Sequence, residues 1–170
     1  MEIELRPVTE EDLPQLVGGQ SPYDDFGPRR PRTEVPTPAL HEVGALAVCD
    51  ARDKRLLGEV SWIWNHWGPT PESRNPMIGI WLRPDARGRG AGTEAQRALV
   101  DLFFRHTAVN RVEAGTDVEN VPEQRALEKA GFTREGTTRG AQWRDGAYHD
   151  CYLYSVLRNE WQPAGDETGR

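Results

Sequence analysis

The run Leu82-Arg83-Pro84-Asp85-Ala86-Arg87-Gly88-Arg89-Gly90-Ala91-Gly92-Thr93 limits the possible folds of this chain more than any other segment. Before it, residues 77–82 (MIGIWL) are almost wholly apolar, the pattern of a short strand covered on both faces. After it, Ala95, Ala98, Leu99, Leu102, Phe103 and His106 recur at helical spacing from about Thr93, with Glu94, Arg97, Asp101 and Arg105 on the other side. The run is therefore a glycine-rich turn between a buried strand and an amphipathic helix. Without a Cβ, glycines let successive backbone N–H groups converge on one point, and the helix N-terminus adds positive potential. The product is an anion cradle suited to phosphate, to which Arg87 and Arg89 add charge. A Walker A loop is excluded, because Gly92 is followed by Thr93 with no lysine. A Rossmann fingerprint counted from Gly88 and Gly90 would need glycine where Thr93 stands. The alternative is a solvated Arg/Gly turn.

Around this centre the chain alternates elements. Residues 2–8 read as a half-buried strand. Residues 9–12 (TEED) read as a helix start capped by Thr9, followed by Leu13, Leu16 and Val17 and stopped by Gly18-Gly19. Residues 20–38 carry Pro22, Pro28, Pro31, Pro36 and Pro38 and read as a long loop of the kind that is often functional. Strands follow at 45–49 and 57–64, joined by the polar turn 50–55, with a second loop at 69–76. Residues 111–119 read as a strand. Residues 120–130 read as a short helix with Pro122 in its first turn and Gly131 as its stop. Residues 132–157 read as a hairpin turning at Asp145-Gly146, a type I′ dipeptide. This order predicts an α/β (α+β) fold, a mixed sheet with helices on both faces, in one domain spanning 1–170.

Composition narrows the function. Mean hydropathy is −0.73 and no apolar run is long enough to span a bilayer. The start MEIELRPVTEED lacks a signal peptide's layout, so a cytoplasmic location is expected. The formal charge is 21 − 27 = −6, which disfavours nucleic acid and anionic membranes as partners while allowing a local phosphate site. Cys49 and Cys151 form no disulfide framework, and no metal motif is present.

Arg87-x-x-Gly90-x-Gly92 between a strand and a helix resembles the acetyl-CoA diphosphate motif of the GNAT N-acetyltransferases. Ile78-Gly79-Ile80-Trp81-Leu82, the segment 120–132 (NVPEQRALEKAGF) and the hairpin 143–150 (WRDGAYHD) follow in that family's order, and resemble its ribosomal-protein N-terminal acetyltransferase branch. The similarity is clearest over 57–161. It implies a mostly antiparallel GNAT-like sheet whose central strands, ending at Leu82 and spanning 111–119, splay apart. It implies coenzyme A in the gap, its pantetheine arm on the backbone of Trp81, Leu82 and Arg83. The N–H groups of Arg87, Gly88, Arg89, Gly90, Ala91, Gly92 and Thr93 would take the diphosphate, and Asn120 would bond the arm. It implies direct acetyl transfer to a primary amine, either a small cationic amine or a protein N-terminus. A non-catalytic acyl-CoA-binding module is the reading from another class. A homodimer is compatible with all of these.

The chain departs from the family where acid and base are usual. Leu127 stands where many relatives have an acidic Tyr, Glu123 where the branch often has Ser, and Met77 where some have Glu. The catalytic candidates are therefore Glu59, a carboxylate in a central strand; Glu123; and Asp150, which could meet a cationic amine. Their alternatives are a solvent-facing strand end, a first-turn residue favouring the helix dipole, and a hairpin lock. Tyr23, Asp24, Asp25 and Phe26 form a plausible trap for a cationic acceptor, against a polar loop anchored by Phe26. Trp62 and Trp64 share a strand face and could wall the acceptor pocket, against ordinary core packing.

Overall fold

The computed structural model describes residues 1–19, 21–28 and 31–162. Seven strands form one sheet: β1 (Ile3–Pro7), β2 (Gly44–Asp50), β3 (Leu56–His66), β4 (Arg74–Leu82), β5 (Arg111–Asp117), β6 (Thr133–Arg144) and β7 (Ala147–Leu157). Their spatial order is β1-β2-β3-β4-β5-β7-β6, antiparallel at every pairing except β4–β5. Helix α1 (Ala91–His106) connects β4 to β5, and α2 (Val121–Lys129) connects β5 to β6. The parallel pair needs such a crossover, whereas the β6–β7 hairpin closes through Asp145 and Gly146, both at positive φ (49° and 72°) as a type I′ turn requires.

The main core lies between the sheet and α1. Leu46, Val48, Val60, Trp62 and Ile78 from the strands meet Ala95, Leu99, Val100 and Phe103 from the helix. A smaller cluster on the other face joins Ala47, Cys49 and Leu56 to Val8 and Leu16. Here the structure corrects one expectation. The helix read over 9–17 is a single 3-10 turn, Leu13–Gln15. Pro14 lacks the N–H that a longer helix would use, and Asp12 is engaged by Arg6, Thr9 N and Thr9 Oγ1. The second face is thus covered by a short helical piece and an irregular segment, with Gln20, Arg29 and Arg30 of the expected loop outside the described residues.

The break in the sheet matters most for function. β4 and β5 pair only at Met77↔Glu113 and Ile78↔Ala114. Beyond these positions the strands diverge, leaving one edge of β4 without a strand partner while its other edge stays paired to β3 as far as Leu82. Gly58 allows that close pairing, since a Cβ there would sit 2.1 Å from the Trp81 carbonyl oxygen.

Candidate active site

Two cavities open along the split. The first, of about 500 Å³, lies beneath the glycine turn and is lined by Arg87, Gly88, Gly90, Gly92 and Thr93, with Pro122, Arg125 and Lys129 from α2. Gly88 and Gly90 have φ of +71° and +84°, and Gly90 caps α1 in the left-handed conformation. That conformation turns the loop onto the helix end and is unfavourable for side chains with a Cβ. Arg87 reaches back to the carbonyl of Leu82 at 2.9 Å, fixing the loop to the end of β4. The residues present fit a phosphorylated ligand. Glycine backbone, a helix N-terminus and three cationic side chains face one cavity. Arg125 and Lys129 were not singled out in the sequence; their i,i+4 spacing on α2 was the signal available.

Not every residue of the run shares this cavity. Ala91 is buried in the core. Arg89 is exposed and lies outside both cavity walls, and Arg83 turns its side chain to Gln15 and Asp85 while its N–H bonds Leu57 O.

The second cavity, of about 580 Å³, adjoins the first and is lined by residues of β3, β4 and β5 and by Leu16, Tyr23, Asp24, Phe26 and Arg32 from before β2. Tyr23, Asp24, Ile80, Trp81, Asn120 and Glu123 line both cavities, so the two chambers meet there. Asn120 also caps α2, accepting from Glu123 N at 3.4 Å.

Two carboxylates in this cleft have opposite surroundings. Glu123 is half-buried where it lines both cavities, and among the described residues no ion pair reaches it; desolvation pushes its carboxyl up to about 7. Gln96 Nε2 donates to it at 2.7 Å, which partly offsets the rise. Glu59, by contrast, receives both guanidinium nitrogens of Arg32, Nη2 at 3.1 Å and Nη1 closer. With both oxygens held by a guanidinium, Glu59 presents a carboxylate already engaged with a cation.

Residues 21–26 cross the mouth of the split. Trp81 Nε1 on the β4 side donates to Asp24 at 3.0 Å, and Ser21 N donates to its other oxygen at 2.9 Å. On the β5 side, Tyr23 Oη donates to Glu119 O at 3.1 Å. Beneath them sits a buried group absent from the sequence candidates. Arg144 donates to Pro22 O and to Asp117, lies 5.5 Å from the Tyr23 ring, and contacts His149 Nδ1 at 3.2 Å. The crossing segment is thereby tied to both diverging strands.

Other expected residues lie elsewhere. Trp62 and Trp64 do not wall the cleft. Both stand edge-on to Phe103 at 5.6 and 5.9 Å and donate to Glu42 O, so they belong to the α1 side. Asp150 is exposed outside both cavities and accepts from Gly140 N at 2.7 Å, the hairpin lock. Asp25 caps Gly27 N and takes Asp145 N on its carbonyl, also outside the cleft. Phe26 lines the second chamber while 53% exposed.

Comparison with known proteins gives these features a family context. A model described as an acetyltransferase (GNAT) domain matches residues 2–133. YdaF of Bacillus subtilis, named as a ribosomal N-acetyltransferase, is 33% identical over 90 residues, 53% of this chain and 49% of its own length. The chain spans about half the length of the curated relatives it matches. Among solved structures, Mycobacterium smegmatis RimJ in complex with CoA-disulfide aligns with a TM-score of 0.77 at 21% identity, covering 95% of this chain and 84% of that one. Vibrio cholerae spermidine N-acetyltransferase in complex with CoA and spermine aligns with a TM-score of 0.69 at 20% identity, covering 93% and 96%. At these identities the structural likeness speaks to the fold.

Proposed function

The chain belongs to the GNAT acetyltransferase family, and from that premise we propose that it transfers acetyl from acetyl-CoA to a primary amine on a small molecule carrying a further positive charge. The observation that carries this reading is the meeting of a phosphate-suited chamber and a carboxylate-lined chamber at Glu123, where the strands split. The first chamber would hold coenzyme A through the N–H groups of the glycine turn and the cations Arg87, Arg125 and Lys129. Asn120 and the unpaired edge of β4 would lie along its arm. Acetyl-CoA supplies the acetyl group as a thioester, open to direct attack by nitrogen without a covalent enzyme intermediate. Holding amine and thioester together supplies much of the acceleration, and an oriented N–H of β4 facing the thioester oxygen is worth ~10²–10³ in rate.

The two carboxylates divide the remaining work. Glu123, near neutrality, gives its proton to the departing sulfur and is restored by the proton the nitrogen loses, so the protons balance. Glu59 reads charge. An attacking amine must be neutral, so Glu59 takes a second, charged group of the acceptor in place of Arg32, not the reacting nitrogen. Arg32 is itself a cation seated on Glu59, and it is the only Lys or Arg lining that chamber among the described residues, beside Asp24, Asp117 and Glu123. This supports a cationic small molecule over a protein N-terminus. YdaF carries a ribosomal acetyltransferase name, and the Vibrio cholerae enzyme a spermidine one.

The test is thiol release from acetyl-CoA across matched monoamines, diamines and peptides. Diamines should show KM values at least about tenfold below those of monoamines of equal length, and Glu59→Gln should erase that difference. Turnover of peptide N-termini alone would refute the acceptor assignment. Tight coenzyme A binding without turnover of any amine would refute catalysis.

A further inference from the structure

Gln96 lies on α1 and is 1% exposed, yet among the described residues its Oε1 has no hydrogen-bond partner while Nε2 donates to Glu123 Oε1 at 2.7 Å. A buried amide oxygen without a donor is costly, and this one belongs to a residue lining the acceptor chamber. The two ends of a carboxamide exchange by a half-turn of the terminal bond. With Glu123 ionised, Nε2 is the correct partner; with Glu123 protonated, the reversed amide presents Oε1 to the carboxyl O–H.

We propose that Gln96 is a positioning residue for acetyl transfer, holding the Glu123 carboxyl in one place by reversing its amide as the proton leaves and returns. This rests on the reading of Glu123 as the acid. The O–H bond of Glu123 breaks as the proton passes to the departing sulfur, and the amide then turns from acceptor to donor. The other charged groups around this pair are Glu59 with Arg32 from β3 and its covering loop, Asp117 with Arg144 and His149 from β5 and the hairpin, Asp24 from the crossing segment, Arg87 from the glycine turn, and Arg125 and Lys129 from α2. Among the described residues none of them forms an ion pair with Glu123, so Gln96 is its specific polar side-chain partner.

The test compares pH–rate profiles of wild type, Glu123→Gln and Gln96→Met, which keeps volume without an amide. Wild type should lose rate as pH rises through about 7. Glu123→Gln should lack that limb; a retained limb refutes the acid assignment itself. If the limb belongs to Glu123, Gln96→Met should move it up by about one pH unit, because the ionised form loses its donor. Its plateau kcat should fall about tenfold, with KM for acetyl-CoA unchanged. A Gln96→Met profile superimposable on wild type refutes the role of Gln96 alone. Should that variant not fold, the Gln96 side-chain amide resonances of the intact protein decide: they should titrate with the Glu123 carboxyl midpoint, and pH-independent resonances would refute the inference.

Discussion

At Glu123, desolvation and, among the described residues, one neutral side-chain partner, Gln96, act on one carboxyl. The same burial makes it a stability liability with a definite pH window. Its folded pKa, near 7, exceeds the ordinary 4.5, so the folded state binds the proton more tightly than the unfolded chain. Below pH 4.5 both states are protonated and no penalty exists. Between 4.5 and 7 the penalty grows, and above 7 it is fully present, on the order of 3 kcal/mol. Glu123→Gln should therefore gain stability relative to wild type as pH rises from 5 to 8, read as a growing difference in urea midpoints. A constant difference across that range would show the carboxyl to be solvated. Glu123 stood out in the sequence only as a departure from a family pattern. Its environment could not be read there, because Gln96, its hydrogen-bond partner, is 27 positions away. Arg32 and Glu59, and Asp117 and Arg144, are likewise joined only by the fold.

The strand–turn–helix element around residues 87–93 was legible because its signal is local. Glycines at positive φ, an apolar strand before and an amphipathic helix after are all written within one short stretch. The hairpin at Asp145-Gly146 was legible for the same reason. The first helix was not, since the pattern of Leu13, Leu16 and Val17 suited a helix while Pro14 and the Arg6–Asp12 bond dictated a 3-10 turn. Trp62 and Trp64 shared a face as expected, but sequence alone does not say which side of a sheet receives a helix. At this scale the prediction concerns Gly90. A β-branched residue at φ +84° is strained, so Gly90→Val must rebuild the turn that ends at the N-terminus of α1. Coenzyme A affinity, measured by calorimetry, should fall by at least about tenfold while the far-ultraviolet dichroism stays unchanged. Unaltered affinity would dissociate the turn from the ligand.

For the molecule as a whole, a sheet split along one parallel pairing leaves a passage of two adjoining chambers with different chemistry. One end is built from backbone amides and cations, the other from carboxylates, and the segment 21–26 bridges the mouth through Trp81, Glu119 and Arg144. The alternation of strands and helices in the sequence foretold the sheet and its mixed character. The depth of the split, the bridge and the different surroundings of Glu59 and Glu123 depend on contacts between distant segments, which periodicity does not record. The central claim is that this passage receives its acetyl donor from the glycine-turn side. A crystal structure of the protein grown with coenzyme A tests it most directly. The diphosphate should accept hydrogen bonds from main-chain N–H groups between Arg87 and Thr93, with the thiol pointing between β4 and β5 toward Glu123. A nucleotide bound on any other surface, or a thiol directed away from the split, would contradict it.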